Sequence, residues 1–213
     1  VPGLSIGERP VDGVDAVVAV KPYVVAAVLP GLAAADVPRV LSIAAGVTLD
    51  ALETAAGPGV AVVRAMPNTP ALVGLGAAAI AGGRDASADD VRWVEMILGS
   101  VGIVEPMDEP LLDAFTGVAG SGPAYVFLFA EALIDAAVAH GMDSEVAERV
   151  VAQLLLGAST LLAREGDPAR LRRNVTSPGG TTAAGLARFE HHDLHAIVAD
   201  AVAAATERSR ELG

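Results

Sequence analysis

The residues best suited to chemistry lie in Asn174-Val175-Thr176-Ser177-Pro178-Gly179-Gly180-Thr181-Thr182, a polar, glycine-rich loop between two helical patterns. Pro178 fixes one backbone angle, and Gly179 and Gly180 allow conformations closed to other residues. The loop should therefore bring backbone N–H groups, hydroxyls and the start of a helix over residues 183–190 to one point. Such a convergence suits a small carboxylate, because orphan N–H groups and the helix dipole both favour an anion. The plain alternative is an ordinary capped loop, since threonine caps are common.

Other residues are weighed the same way. Val73-Gly74-Leu75-Gly76-Ala77-Ala78-Ala79 spells G-x-G-x-x-A, but no strand precedes it and no helix follows, so it reads as a turn into a strand. His191 and His195 stand at helical spacing. If Asp193 caps a helix, however, that spacing loses its meaning, and no metal site is expected. Asn68 follows a strand, and so do Val20-Lys21-Pro22 and Ala44-Ala45-Gly46. Carboxyl ends of parallel strands are where open α/β sheets bind ligands. Lys21, the only lysine, is either an exposed cation or a ligand contact. Glu109, Glu131 and Glu165 are the carboxylates near the expected helical bundle, each individually more apt to be solvated than functional. Arg170, Arg172 and Arg173 form either a solvated helix face or a local positive field near the loop.

The elements that must position these residues change character along the chain. Strands are expected over 14–20, 40–43, 60–64, 76–81 and 101–104, the first buried on both faces because its apolar residues are nearly continuous. Helices are expected from Pro22, over 48–56, and from a capping box of Ser87 and Asp90 to about residue 98. This alternation implies a parallel α/β sheet. After Met107 the strand signals vanish. Pro123 opens a long helix ending at His140-Gly141, a second runs over 145–164, Asp167-Pro168 starts a short one, and Asp193 caps a last one. The two long helices are apolar nearly all round, which calls for burial on several sides and hence for an obligate dimer.

Composition narrows the function classes. The chain has 213 residues, 53% hydrophobic but only 3% aromatic, so alanine, valine and leucine must build the core. Net charge is −12, with six basic and eleven acidic residues in 1–107 and eight and fifteen in 108–213. Neither half offers a basic face for nucleic acid or anionic lipid. Cysteine is absent, which excludes disulfides and thiolate chemistry. No basic-plus-apolar leader is seen and no unbroken apolar run reaches the roughly 20 residues that span a bilayer, so a cytoplasmic protein without membrane partners is expected.

Taken together, five segments resemble the pyrroline-5-carboxylate reductase family in order and spacing: residues 19–22, 42–48, 64–70, 120–125 and 175–182. The resemblance implies an α/β Rossmann-type sheet over 1–107, followed by an all-α dimerisation and substrate domain over 108–213. It implies NADPH or NADH as cofactor, a homodimer that can assemble into a higher oligomer, and a site shared by the sheet domain of one subunit and the helical domain of another. By position, Val20, Lys21, Pro22, Ala44, Ala45, Asn68 and Asn174 match cofactor contacts. Val175, Ser177, Gly179, Gly180, Thr181 and Thr182 match the pocket for the substrate carboxylate, with Glu109 and Glu165 at its border. Thr182 matches the residue whose hydroxyl approaches the substrate nitrogen. The expected reaction is reduction of 1-pyrroline-5-carboxylate to L-proline, the last step of proline biosynthesis, in which Glu109 and Glu165 would favour a cationic iminium.

One departure stands out. The family opens with a strand, a Gly-rich fingerprint and a helix, whereas this sequence starts just ahead of Val14. Residues 1–12 match nothing identifiable, and Ile6 stands where an asparagine is expected. The sheet domain is therefore expected to lack its first part. Two further alternatives follow: a related imine or β-hydroxyacid reductase, or a truncated, dimeric protein without catalytic activity.

Overall fold

The computed structural model describes residues 11–212, so Ile6 and the other unmatched residues before Val11 lie outside the described residues. Its first half alternates β1 (Ala16–Val18), α1 (Pro22–Ala34), β2 (Arg39–Ser42), α2 (Leu49–Ala56) and β3 (Ala61–Pro67), then β4 (Gly76–Gly82), α3 (Ala88–Gly99) and β5 (Gly102–Pro106). The caps explain these boundaries. Pro22 opens α1, the Thr48 hydroxyl accepts from the Ala51 amide, and Ser87 and Asp90 cap α3 reciprocally.

The strands form one sheet in the order β1-β2-β3-β4-β5. β1, β2 and β3 run parallel, as do β4 and β5, but β3 and β4 pair antiparallel with Met66 opposite Ala79. The expected parallel sheet holds for the described strands except at this one pair. Residues 68–75 are too short for the crossover of about a dozen residues that a parallel neighbour needs. They hold a 3₁₀ turn, Thr69–Val73, closed by Gly74 in a left-handed conformation (φ +74°), so the G-x-G-x-x-A stretch is a turn into a strand. As a result the carboxyl ends of β1, β2 and β3 share one edge with the amino ends of β4 and β5.

Each face of the sheet carries its own core. α1, α2 and α4 (Leu111–Phe115) cover one through Leu29, Val40, Leu52, Val62, Ala79 and Leu112. α3 covers the other through Leu41, Val63, Ile80 and Val94. β1 departs from expectation, since Val18 is 4% exposed but Val17 is 37% exposed. Val17 lies beside Leu41 on the outermost described strand, where α3 gives it little cover.

Past α4 the chain makes a π turn over Thr116–Gly120, then α5 (Gly122–Ala139), α6 (Ser144–Glu165), α7 (Pro168–Asn174), α8 (Thr181–His191) and α9 (Leu194–Leu212). Asp143, Asp167 and Asp193 accept from amides at the starts of α6, α7 and α9, the last two from left-handed backbone. The sequence pattern gave no element over 111–120.

Two compact units result: Val1–Pro123 with Ala201–Gly213, and Ala124–Asp200. The end of α9 belongs to the first because three contacts seat it there. The Ser209 hydroxyl donates to Asp113 at 2.7 Å, Thr206 and Val202 lie over Gly117, and Leu212 lies against Gly46. In the second unit α6 buries Ala147 and Val151, and Phe129 meets Phe189 with ring centroids 6.3 Å apart. α5 buries no residue fully, and Phe127 and Leu128 are 61% and 66% exposed. By length and hydropathy alone, Leu111–Ala139 and Ser144–Glu165 could each cross a membrane, although no continuous apolar run does so. The same composition is that of helices covered by a second chain.

Candidate active site

In the first unit, the carboxyl ends of β1, β2 and β3 bring together the residues expected to touch a cofactor. Val20 and Lys21 lead into α1. Lys21 is exposed and occupies the N-cap position, but its side chain caps nothing and makes no ion pair among the described residues. Pro22 carries no N–H, so the first turn of α1 offers few donors of its own. Ala44 is 3% exposed and Ala45 is exposed, on a loop that turns at Gly46 in a left-handed conformation (φ +76°). A Cβ at Gly46 would lie 2.9 Å from the Leu212 Cβ, so only glycine fits between this turn and α9.

Asn68 is placed at the same edge, with both ends of its side-chain amide already engaged. Its Oδ1 accepts from the Ala77 amide at 2.8 Å, and its Nδ2 donates to the Ala119 carbonyl at 3.0 Å. Asn68 therefore clips the start of β4 to the π turn, a role that its position after a strand did not reveal.

Glu109 lies in the first unit too. Its Oε1 accepts from Arg64 Nη1 at 2.7 Å and from the Leu49 amide at 2.6 Å, joining β3, the segment after β5 and the start of α2. Sequence reasoning passed over Arg64, which is only 6% exposed. The available signal was a guanidinium ending the apolar run of an expected strand, where a buried arginine needs a partner.

The second unit holds the polar loop. Gly179 is left-handed (φ +70°), and the Gly180 amide donates to the Ser177 carbonyl at 3.1 Å. Gly180 is the N-cap of α8, and no side chain among the described residues caps that end. Thr181 and Thr182 thus occupy the first turn with their amides at the positive end of the helix. The helix begins two residues earlier than expected, and Thr182 lies inside it, so its hydroxyl is not the cap. That hydroxyl is exposed and has no partner among the described residues, whereas Thr176 donates its own to the Arg172 carbonyl at 2.6 Å. Ser177 and Val175 are exposed on the same loop, whereas Asn174, expected in the loop, is exposed as the last residue of α7.

Glu165 ends α6, and its carboxylate faces Arg170 at 3.3 Å. Both expected border carboxylates are therefore matched by an arginine, and each places a weaker field on a nearby cation than a free carboxylate would. Glu131 is exposed on α5. His191 closes α8 and His195 lies in α9, so their spacing does not put them on one helical face.

The donors at the sheet edge suit an elongated anionic cofactor. They offer one exposed cation, Lys21, and loops at two strand ends that approach a ligand by backbone. The donors of the 177–182 loop suit a small carboxylate.

Comparison with known proteins finds relatives along most of the chain. Residues 109–212 match the family model described as pyrroline-5-carboxylate reductase dimerisation. The pyrroline-5-carboxylate reductase of Synechocystis is 45% identical over 197 residues, covering 92% of this chain and 73% of its own length. That of Pseudomonas aeruginosa is 42% identical over 212 residues, covering 98% and 78%. Among solved structures, the Plasmodium falciparum enzyme with NADP bound superposes with a TM-score of 0.85 at 35% identity, covering 93% of this chain and 77% of that one. The Coxiella burnetii enzyme gives 0.87 at 36% identity, covering 92% and 75%. A ketol-acid reductoisomerase at 13% identity and TM-score 0.56 shares the fold alone. On the identity and coverage of these relatives, the chain belongs to the pyrroline-5-carboxylate reductase family.

Proposed function

We propose that the chain catalyses the NAD(P)H-dependent reduction of 1-pyrroline-5-carboxylate to L-proline, closing proline biosynthesis, and that it works as a homodimer. The observation that carries this reading is the 177–182 loop. It ends at a helix N-terminus beside the Thr182 hydroxyl, and among the described residues no side chain caps the one or partners the other.

The substrate carboxylate binds the amides of Thr181 and Thr182, since that of Gly180 is taken by the Ser177 carbonyl, and the α8 dipole favours negative charge there. That anchors one end of the ring and leaves the imine nitrogen for the Thr182 hydroxyl, which can donate or accept. Threonine is a poor acid, so Thr182 orients the imine or relays a proton from water. Val20, Lys21, Ala44 and Ala45 hold the cofactor by backbone and by one cation. NADPH or NADH, when bound, supplies the hydride for the C=N carbon. Holding the ring in one orientation supplies much of the remaining rate advantage. The exposed apolar surface of α5 supports a second copy as the covering partner.

The test is oxidation of NADPH by the purified chain with and without 1-pyrroline-5-carboxylate, followed by proline detection. Oxidation that ignores the pyrroline, or no oxidation at all, removes the assignment. Profiling against acyclic β-hydroxyacids separates it from other reductases of this fold.

A further inference from the structure

We propose that Arg64 is a positioning residue for cofactor binding: through Glu109 it fixes the first turn of α2 and, with it, the 44–47 loop at the carboxyl end of β2. The inference rests on the proposed function only in taking that loop as a cofactor contact.

Arg64 lies in β3 among Val62, Val63 and Ala65, and is 6% exposed. Alternation along the strand puts it on the face of Val62, which α1, α2 and α4 cover. A guanidinium there must be paired, and its ion-pair partner is Glu109, whose side chain is 28% exposed. The carboxylate oxygen that meets Arg64 also accepts from the Leu49 amide. Leu49 is the first residue of α2, so this donor is one the helix cannot satisfy internally. Thr48 takes the Ala51 amide in the same turn. A negative group at this end of the helix is favoured by the dipole as well.

The geometry ties three distant stretches to one oxygen atom. The 44–47 loop immediately precedes that junction, and Leu212 lies against Gly46 within it. A loop that meets a ligand by backbone needs such anchors, because its own small side chains supply none. If burial alone mattered, a methionine of similar volume would serve, since buried ion pairs are often replaced by apolar groups without loss of stability. A positioning role predicts that methionine folds but does not place the loop.

The experiment compares the full chain with Arg64→Met, Arg64→Lys and Glu109→Gln. Three quantities are read: the NADPH dissociation constant by fluorescence titration, kcat and KM for both reactants, and amide hydrogen exchange over residues 47–52. Arg64→Met should weaken NADPH binding about fivefold or more, raise its KM in step, leave kcat within about twofold, and speed exchange over 47–52. Arg64→Lys should recover part of each effect. A lowered melting temperature with unchanged NADPH affinity and unchanged exchange overturns the proposal. So does a rise in the pyrroline KM alone, which would make Glu109 a direct substrate contact. If Arg64→Met does not fold, Glu109→Gln is read against the same criteria. Faster exchange and weaker NADPH binding in a chain that shows no pyrroline reduction would keep this inference and remove the proposed reaction.

Discussion

Replacing Gly117 by alanine tests how α9 is seated on the π turn. In an ordinary helix interior this exchange stabilises by about 0.5–1 kcal/mol, because alanine has less backbone entropy to lose. At Gly117 the added methyl group has no room. Its Cβ would lie 2.9 Å from the Val202 carbonyl oxygen, 3.3 Å from the Thr206 amide nitrogen, and closer still to the Thr206 hydroxyl. Two of these neighbours are α9 backbone, so no rotamer change relieves them and the helix must withdraw. Overpacking of this kind costs about 1–3 kcal/mol, which exceeds the propensity gain. A net loss of about 1–2 kcal/mol lowers the melting temperature by about 2–8 °C for a chain of this size. Gly31 in α1 supplies the control, because a Cβ there meets nothing within 4 Å. Gly31→Ala should hold or raise the midpoint. Adding Thr206→Ala to Gly117→Ala should recover only part of the loss, since the Val202 carbonyl remains. Thermal melts of the four proteins decide the matter, and a Gly117→Ala midpoint at or above wild type refutes the packing argument.

Thr182→Ala should lower kcat/KM by about 10- to 100-fold, the loss of one hydrogen bond of roughly 1.5–3 kcal/mol, with the oligomeric state unchanged by light scattering. Because Gly180 and not Thr182 is the N-cap of α8, its melting temperature should hold. Gly180→Ala would set a Cβ 2.5 Å from the Ser177 Oγ, so the pyrroline KM should rise while NADPH affinity, measured by titration, stays within about twofold. Asp90→Asn should weaken the α3 capping box by about 0.5–1.5 kcal/mol at neutral pH. The Ser87 hydroxyl, and Arg39 more weakly, hold the Asp90 carboxyl below its usual range. Its contribution is therefore complete above the unfolded pKa near 4 and lost as pH falls through the lower folded value. Urea titrations at a series of pH values should show the wild-type advantage shrinking only below about pH 4.

Local signals carried most of the fold. Pro22, Thr48, Ser87 with Asp90, Asp143, Asp167 and Asp193 all lie at or beside helix starts because each satisfies a donor, or lacks one, where the helix leaves donors open. Strand direction was not legible from composition: Gly76–Gly82 is an alanine-rich run that looks alike from either end. The length of the 68–75 link was the usable clue. The π turn was hidden for a different reason. Gly117 and Gly120 interrupt a helical pattern, and their purpose is visible only once α9 and the Met66 side chain are seen against them. Likewise the polar loop was recognisable by its residues, whereas the double engagements of Asn68 and Glu109 join positions far apart in the chain.

The return of α9 to the first unit has a consequence for how the chain is made. Asp113 and Ser209 are 96 residues apart, with the whole of the second unit between them. At a synthesis rate of about 5–20 residues per second, the acceptor waits roughly 5–20 s for its donor. During that interval the floor made by Asp113 and Gly117 is bare, and the sheet is finished before its last layer exists. A nascent chain paused in α8 would therefore present that floor to any helix nearby, including α9 of a neighbouring, completed copy. The order of translation thus favours assembly within one chain only if elongation through the second unit is quick relative to encounter between chains.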